Sequence, residues 1–559
     1  MVYSSSTKLT TKYAHPQRII CSENIINEEL LITPILYQPV IANIEACTIE
    51  PNGYIVFDFG EELCGGIEIT THEFPGTPSL RVVFGESVME TLSNIGQKNS
   101  TNDHAIRDSV VPVVINSRFR VGQTGFRFVK IQAMDSSVKI ISIRAACDIR
   151  DIPYRGNFES NDNRLNQIWK TGARTVHLCM QDYLWDGIKR DRLVWLGDMH
   201  AEVAAIAAVF GDNEIVEDSL KFISRITPAD TWVNTIPSYS LWWIIIQRDW
   251  YHQTGNLKPL LEQKDYIINT IKHIAMIINE DGTDNIEPWG LLSDNIYSGY
   301  FVDWESYATE DSKNGFYSVL MVALNAGCEL CDILDSANVK ALCMDRISRI
   351  KKIRFSKSDN MQISSLMYLA GLDDSKEKTK NILTQNHLAG MSAYLGYYTL
   401  FAKGKIGDVS GAIDIINGYW GRMIDLGATT FWEVFDYINS LDAIGIDKIV
   451  PDGKKDIHGD GGKLWYKGYR KSLCHGWACG PTPFLSKYVL GITPVEPGFK
   501  KVCIKPNLGN LEYVCGKYPT PYGDINIVAE QKNGKVKYNI DVPSEIEVLE
   551  ETENNKYRF

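Results

Sequence analysis

The stretch at residues 161–184, NDNRLNQIWKTGARTVHLCMQDYL, is where the chain changes its period. Its apolar residues recur at helical spacing, and Asn161 or Asp162 stands ready as N-cap, so a helical domain is expected to begin here. On its N-terminal side, short β-rich runs such as GYIVFDFG, GGIEITT, SLRVVFGES and GFRFVKIQA alternate with Gly, Pro, Asn and Ser turns. That pattern predicts a β-sandwich over residues 1–155. On its C-terminal side come AEVAAIAAVFG, EIVEDSLKFISRI, SLWWIIIQRDWYHQTG, LKPLLEQKDYIINTIKHIAMIIN, GFYSVLMVALNAGCELCDILD and SANVKALCMDRISRIKKI. They continue in pairs to about SKYVLG, with no interleaved run of parallel-strand character. About a dozen helices in hairpins predict a closed α/α barrel over 156–492, a six-hairpin toroid whose loops gather at one end around an aromatic-lined pocket. After GITPVEPGF the strand pattern returns in KKVCIKP, LEYVCG, DINIVAEQ and KVKYNIDV, predicting a second, smaller sandwich over 493–559. No low-complexity linker marks either junction, so the three parts are expected to pack as one body.

Composition excludes several classes. The chain of 559 residues is 44% hydrophobic and 23% charged, with 13 Trp, 27 Tyr and 19 Phe, which is material for a packed core rather than a disordered segment. Acidic residues exceed basic ones by 12 and no Lys/Arg block occurs, so a nucleic-acid partner is not expected. The amino terminus has no apolar region of signal-peptide length, and no stretch reaches the ~18 apolar residues that span a bilayer. The expectation is a soluble, cytoplasmic protein without a membrane partner; a chain trimmed of its signal would read the same. The 12 Cys are scattered too thinly for a disulfide scaffold. Cys328 and Cys331 form the only CxxC, inside a helical run without a second pair at zinc spacing, so core packing is expected and no metal or cofactor.

The densest polar cluster is DGIKRDRLVWLGD at residues 186–198, three acids and three bases interrupted by two glycines. A solvated helix face carries such charge but not such breaks, which favours a binding or catalytic loop. In GATTFWEVFD, Glu433 follows Trp432, an environment able to orient a carboxyl toward a sugar; the competing reading is a helix start with a Thr430–Glu433 capping box. In SLCHGWACGPTPF, His475 stands near Trp477, and a lone His is commonly a satisfied structural group. FVDWESYATED sets Asp303 beside Trp304, and EPWG sets Glu287 near Trp289. Carboxylates interleaved with indoles suit carbohydrate, although aromatic-rich barrel cores produce similar text. The usual dinucleotide, Walker, zinc-protease and serine-elbow motifs are missing, which leaves two-carboxylate chemistry on a glycosidic bond.

At these residues the chain resembles the bacterial α-L-rhamnosidases of glycoside hydrolase family 78, from about Gly53 to Val542. DGIKRDRLVWLGD carries the resemblance most specifically, supported in order by FVDW, GATTFWE, SLCHGW and the closing VEPGF. The resemblance implies an inverting exo-hydrolase releasing terminal α-L-rhamnose, on an (α/α)6 barrel flanked by an N-terminal and a small C-terminal β-sandwich. It makes Asp191 the general acid and Glu433 the general base. Asp186 and Asp198 would hold rhamnose hydroxyls with help from Arg190, and His475, Asp303, Trp304, Trp195 and Trp432 would line the sugar pocket. The acid position is commonly Glu in the family, so Asp191 is one methylene shorter. Three functions follow as alternatives: a rhamnosidase or a relative acting on another deoxy- or uronic-type sugar, a noncatalytic sugar binder that lost turnover, and a polysaccharide lyase on a related toroid. The length suggests small oligosaccharides or glycosides as carbohydrate partners; the oligomeric state stays open, a homodimer included.

Overall fold

The structure is a computed structural model that describes residues 8–33, 45–373, 376–464 and 466–549. Its contacts divide the chain into two compact units, each assembled from separate stretches. The first comprises Met1–Asp151, His177–Leu193 and Arg422–His475; the second comprises Ile152–Val176, Val194–Gly421 and Gly476–Phe559.

The first unit is built on a seven-stranded sheet whose strands run Leu9–Ala14, Val138–Arg150, Cys47–Thr71, Arg118–Ala133, Ser79–Gly85 and Asp108–Pro112 in spatial order, with Arg18–Ile26 also paired to Cys47–Thr71. Two runs that read as separate strands, GYIVFDFG and GGIEITT, belong to the single strand Cys47–Thr71. Its register against Arg118–Ala133 jumps between Asp58 and Leu63, so the FGEE segment is a bulge that bends the strand without ending it. Gly60, at φ 85°, makes that bulge possible, and its N–H bonds Asp58 Oδ1 at 2.7 Å. Ile55, Phe57, Phe59, Ile67 and Ile69 enter one core with Phe84, Phe126 and Ile131.

Asp58 sits on the opposite face and is almost fully buried. Arg127 grips it bidentately at 2.8 and 2.9 Å and donates its remaining nitrogen to the Gly427 carbonyl at 2.8 Å. Burial alone would raise the Asp58 carboxyl; hydrogen bonds from Arg127, Gly60 and Arg18 reverse this and hold it below its ordinary value. The same fork thereby fastens the late segment Arg422–His475 to the sheet. Val88 N–H to Ile446 O at 2.9 Å and Glu62 N–H to Thr429 Oγ1 at 2.9 Å add to that seam.

The second unit is helical. Asp162, one of the two residues expected as cap, accepts from the Arg164 N–H at 2.9 Å at the start of the helix Asn163–Cys179. Met199–Val209, Pro237–Thr254, Glu310–Ile333, Met361–Ala370 and Ala393–Lys405 each pack on the next, and the short helix Pro481–Phe484 touches both Ala393–Lys405 and Met199–Val209. These helices are apolar or small nearly all round and buried accordingly. Between them come amphipathic partners such as Glu214–Ile226, which buries only the stripe Ile215, Val216, Ser219, Leu220 and Ile223. Glu310–Ile333 has the length and hydropathy of a membrane span, yet 72% of its apolar window is buried among its neighbours. Cys328 and Cys331 lie on it as free thiols, and Cys343 of the helix Ala337–Ile350 neighbours Cys328.

Two small sheets close the unit. One joins Ile492–Pro494, Lys501–Ile504 and Glu547–Leu549; the other joins Lys535–Asp541, Gly523–Lys532, Tyr513–Thr520 and Asn157–Ser160. The last strand comes just before the helix Asn163–Cys179, so residues counted with the helical part by period alone complete a sheet some 350 positions later, as Val514 pairs with Ser160.

The Arg127–Asp58 fork predicts a specific stability loss. Arg127→Met leaves a buried carboxylate unanswered and should cost ~3–5 kcal/mol, whereas Arg18→Gln, at a half-exposed partner of the same carboxylate, should cost ~0–1 kcal/mol. Urea unfolding of the two variants measures the difference.

Candidate active site

The loop 186–193 is closed at its base. Asp186 N–H bonds Leu193 O at 3.0 Å, and Leu193 N–H returns to Asp186 Oδ1 at 2.9 Å. Inside this clasp, Asp191 and Arg192 are consecutive left-handed residues, φ 54° and 59°, a conformation that costs non-glycine residues ~1–2 kcal/mol each. The strain reverses the chain and is sustained by the surroundings: Arg192 N–H to Arg190 O at 2.7 Å, Arg192 Nη1 to Gln123 O at 3.0 Å, and the Arg192 guanidinium stacked over Trp185 at 4.7 Å.

Arg190 is the centre of the cluster. Its Nη1 bonds Asp191 Oδ1 at 2.8 Å and its Nη2 bonds Glu433 Oε1 at 2.5 Å, so one fork holds both carboxylates, while the Tyr466 ring covers the guanidinium at 4.7 Å. Burial would weaken the Arg190 charge, but Glu433 and Asp191 outweigh it and drive its proton affinity up. Glu433 is fixed from behind by Ser472, whose N–H donates to Oε2 at 2.9 Å and whose carbonyl accepts from the Glu433 N–H at 3.0 Å. His475 Nε2 stands 3.6 Å from Asp186 Oδ2 and 3.7 Å from Glu433 Oε1. Burial raises the Asp186 carboxyl above its ordinary value, opposed by His475. The capping-box reading of Glu433 fails on geometry: residues 429–435 are not helical, the next helix starts at Tyr437 with Asp436 as cap, and Thr430 Oγ1 bonds Leu473 O instead.

The first unit therefore brings together Asp186, Arg190, Asp191, Glu433 and His475. Trp432 lies in the same unit, fully buried against Phe435 at 5.7 Å. The 186–198 string itself passes between units after Leu193. In the second unit Trp195 meets Tyr239 edge-on at 5.9 Å, and the Tyr239 hydroxyl is 3.2 Å from Asp198 Oδ1. Tyr239 continues into Phe301, whose ring meets Trp304 at 4.8 Å and Trp289 at 5.8 Å. Burial raises the phenol of Tyr394, and the charges of Asp198 and Asp303 add to this, which places both acids beside it; Trp477 stacks on the same ring at 5.3 Å. That unit thus presents two acids inside an aromatic wall.

Several residues were not legible in advance. His104 Nδ1 is 3.1 Å from both the backbone N and Oδ1 of Asp191, although it sits 87 positions away in an unpatterned loop. Behind Glu433 lies a buried network. Lys189 Nζ contacts Glu86 at 3.0 Å and Glu90 at 3.1 Å and donates to Tyr469 O and Lys471 O. Glu86 in turn accepts from Leu473 N–H at 2.7 Å and Ser472 Oγ at 3.2 Å, bracing the segment that holds Glu433. Glu86, Glu90 and His458 lie close together, and the Lys189 ammonium answers the two glutamates. Burial pushes Glu86 up to about 7 and pulls Lys471 down to about 8.

Residues 153–315 match the family model of the bacterial α-L-rhamnosidase six-hairpin glycosidase domain, and residues 491–555 match that of the bacterial α-L-rhamnosidase C-terminal domain. Over these two segments the chain is similar to the bacterial α-L-rhamnosidases. A curated α-L-rhamnosidase from Alteromonas sp. (strain LOR) is 21% identical over 88% of this chain; the chain spans about half that relative's length, 55%. Among solved structures, the family 78 rhamnosidase of Bacillus sp. GL1 superposes with a TM-score of 0.73 at 21% identity, covering 93% of this chain and 55% of its own. The Klebsiella oxytoca rhamnosidase with rhamnose bound gives 0.66 at 17% identity over 86% of this chain and 96% of that one. The Streptomyces avermitilis α-L-rhamnosidase complexed with L-rhamnose gives 0.68 at 14%, covering 90% and 49%. These likenesses establish the fold: an N-terminal β-rich region, a helical middle and a C-terminal β domain.

The buried network makes stability depend on pH in a defined direction. Burial, and then the charge of Glu86, holds the Glu62 carboxyl well above its ordinary 4.5. The unfolded chain releases that proton near 4.5 while the folded chain keeps it, so the folded state binds more protons above that value and loses stability as pH rises. Glu62→Gln removes this term, and its thermal midpoint should rise relative to that of the unsubstituted protein on going from about pH 4 to about pH 8.

Proposed function

We propose that this chain is an inverting, exo-acting α-L-rhamnosidase whose helices form an (α/α)6 barrel between two β-sandwiches. The contact of Pro481–Phe484 with both Ala393–Lys405 and Met199–Val209 supports the closed ring. The observation that carries the chemistry is the Arg190 fork between Asp191 and Glu433. The inverting reading requires ~6.5–9.5 Å between the two carboxyls for a water, rather than the ~5–5.5 Å of a retaining pair.

In this reading Asp191 is the acid that gives a proton to the glycosidic oxygen as the bond to the anomeric carbon breaks, and the carboxylate left behind pairs with Arg190. Glu433 takes a proton from a water that attacks that carbon from the opposite face, so the sugar leaves with inverted configuration. Within the first unit Asp186 and Arg190 bind hydroxyls, with His475 shaping the pocket; Trp432, packed on Phe435, supports the Glu433 loop.

Asp191→Asn and Glu433→Gln should each lower turnover of a rhamnoside by a factor on the order of 10² to 10⁴ in a protein that stays folded, with Glu433→Gln also lowering the unfolding midpoint because it takes a counter-charge from the buried Arg190. Asp191→Asn should harm alkyl rhamnosides far more than nitrophenyl ones, whose leaving group needs little protonation. Proton NMR of early product should show the β-anomer first. If aryl rhamnosides stay intact while calorimetry registers rhamnose binding, the chain is a sugar-binding relative instead.

A further inference from the structure

A second cleft, of about 680 Å³, opens in the first unit beside Asp191. That volume lies within the ~300–1,000 Å³ of small-molecule sites and exceeds what one water-filled turn would leave. Two of its lining residues are the neighbours of Asp191 already described, His104 and Arg192; the rest come from the β-sheet region and include Asn102, Ile106, Phe119, Arg120 and Gln123. An acid that protonates a leaving oxygen must reach it at ~3 Å, so the group bonded to that oxygen has to lie next to Asp191.

The charge of the cleft is the reverse of the chain's. The protein carries a formal net charge of −12, yet no acidic residue lines this cleft, while His104, Arg120 and Arg192 do. Arg120 is already answered by Asp148 at 3.0 Å. Arg192 has no carboxylate partner among the described residues; it donates to one backbone carbonyl, and its Nε is buried without an acceptor. A guanidinium set over the Trp185 ring at 4.7 Å and answered by no carboxylate among the described residues is placed to take one. The amides of Asn102 and Gln123 are engaged with Asp108 and Arg120, and the exposed Ile106 with Phe119 offers an apolar face.

We infer that this cleft receives the leaving group of the glycoside and selects a uronic acid residue there, with Arg192 as the specificity-determining side chain. The inference rests on Asp191 being the general acid. Recognition of the released sugar belongs to other residues, so the two readings can fail separately.

The test compares a rhamnosyl-uronate disaccharide with its carboxyl-reduced, neutral counterpart. The unsubstituted protein should show at least a ~10-fold higher kcat/KM for the uronate, falling as salt screens the contact. Arg192→Gln should bring that ratio near one, Arg192→Lys should keep part of it, and Arg120→Gln should change it less than about threefold. Equal rates on the two disaccharides, or a preference that survives Arg192→Gln in a protein with an unchanged unfolding midpoint, would overturn the inference. A preference for carboxyphenyl over phenyl rhamnoside without one for the uronate would overturn the assignment to a sugar acid. Should no rhamnoside be cleaved, calorimetric titration with a methyl uronoside decides: binding weakened at least ~10-fold by Arg192→Gln upholds the cleft, and no binding refutes it.

Discussion

Everything in the first unit's polar centre depends on one buried guanidinium. Arg190 is 5% exposed and has two carboxylates, Asp191 and Glu433, as its counter-charges. A buried charge of this kind is tolerable only when paired and hydrogen-bonded, and the pairing here comes from residues 243 positions apart. The contact therefore couples the loop 186–193 to the segment Arg422–His475, and any arrangement that misplaces either leaves an uncompensated charge.

The surroundings are arranged to keep that fork rigid. The Asp186–Leu193 clasp shuts the loop, the two left-handed residues inside it set the direction of Asp191, and Ser472 clamps Glu433 from the far side. Ser472 is itself braced by Glu86, which the Lys189 ammonium helps to balance, so adjacent residues of one loop serve opposite ends of the network. Arg127 then ties the late segment to the sheet through Asp58 and Gly427. Most of these links involve a charged group and are wholly or partly buried, the condition under which hydrogen bonds position groups rather than merely satisfy them. The same rigidity leaves Arg192 over Trp185, lining the neighbouring cleft without a carboxylate among the described residues.

Much of the fold was legible because it is periodic. The switch to helical spacing at residues 161–184, the largely apolar helices such as Met199–Val209 and the returning strands after Phe499 follow from side-chain periodicity and burial, which are local in sequence. The FGEE bulge was not legible as such, because a charged and glycine-bearing break looks like a turn until a partner strand is seen to continue past it. Nor could period alone show that Asn157–Ser160 pairs with Tyr513–Thr520, since a four-residue strand carries no address for its partner.

The candidate site divides in the same way. By itself the sequence determined which residue types stand close along the chain: Asp186, Arg190 and Asp191 in one loop, Trp432 and Glu433 in another, His475 among small residues, and Asp303 beside Trp304. Chemical type and local spacing are properties of the covalent chain, so they are readable without folding it. Only the tertiary structure decided that Arg190 joins Asp191 to Glu433, that Glu433 leans on Ser472 instead of capping a helix, and that His104 reaches Asp191. It also decided that Lys189 and Arg192, equal in charge on paper, differ: one is spent on buried glutamates and the other faces a cleft without an acid. The physical reason is that the effect of a charge is set by its distance to other charges and by its removal from water, and neither quantity exists until distant segments have packed.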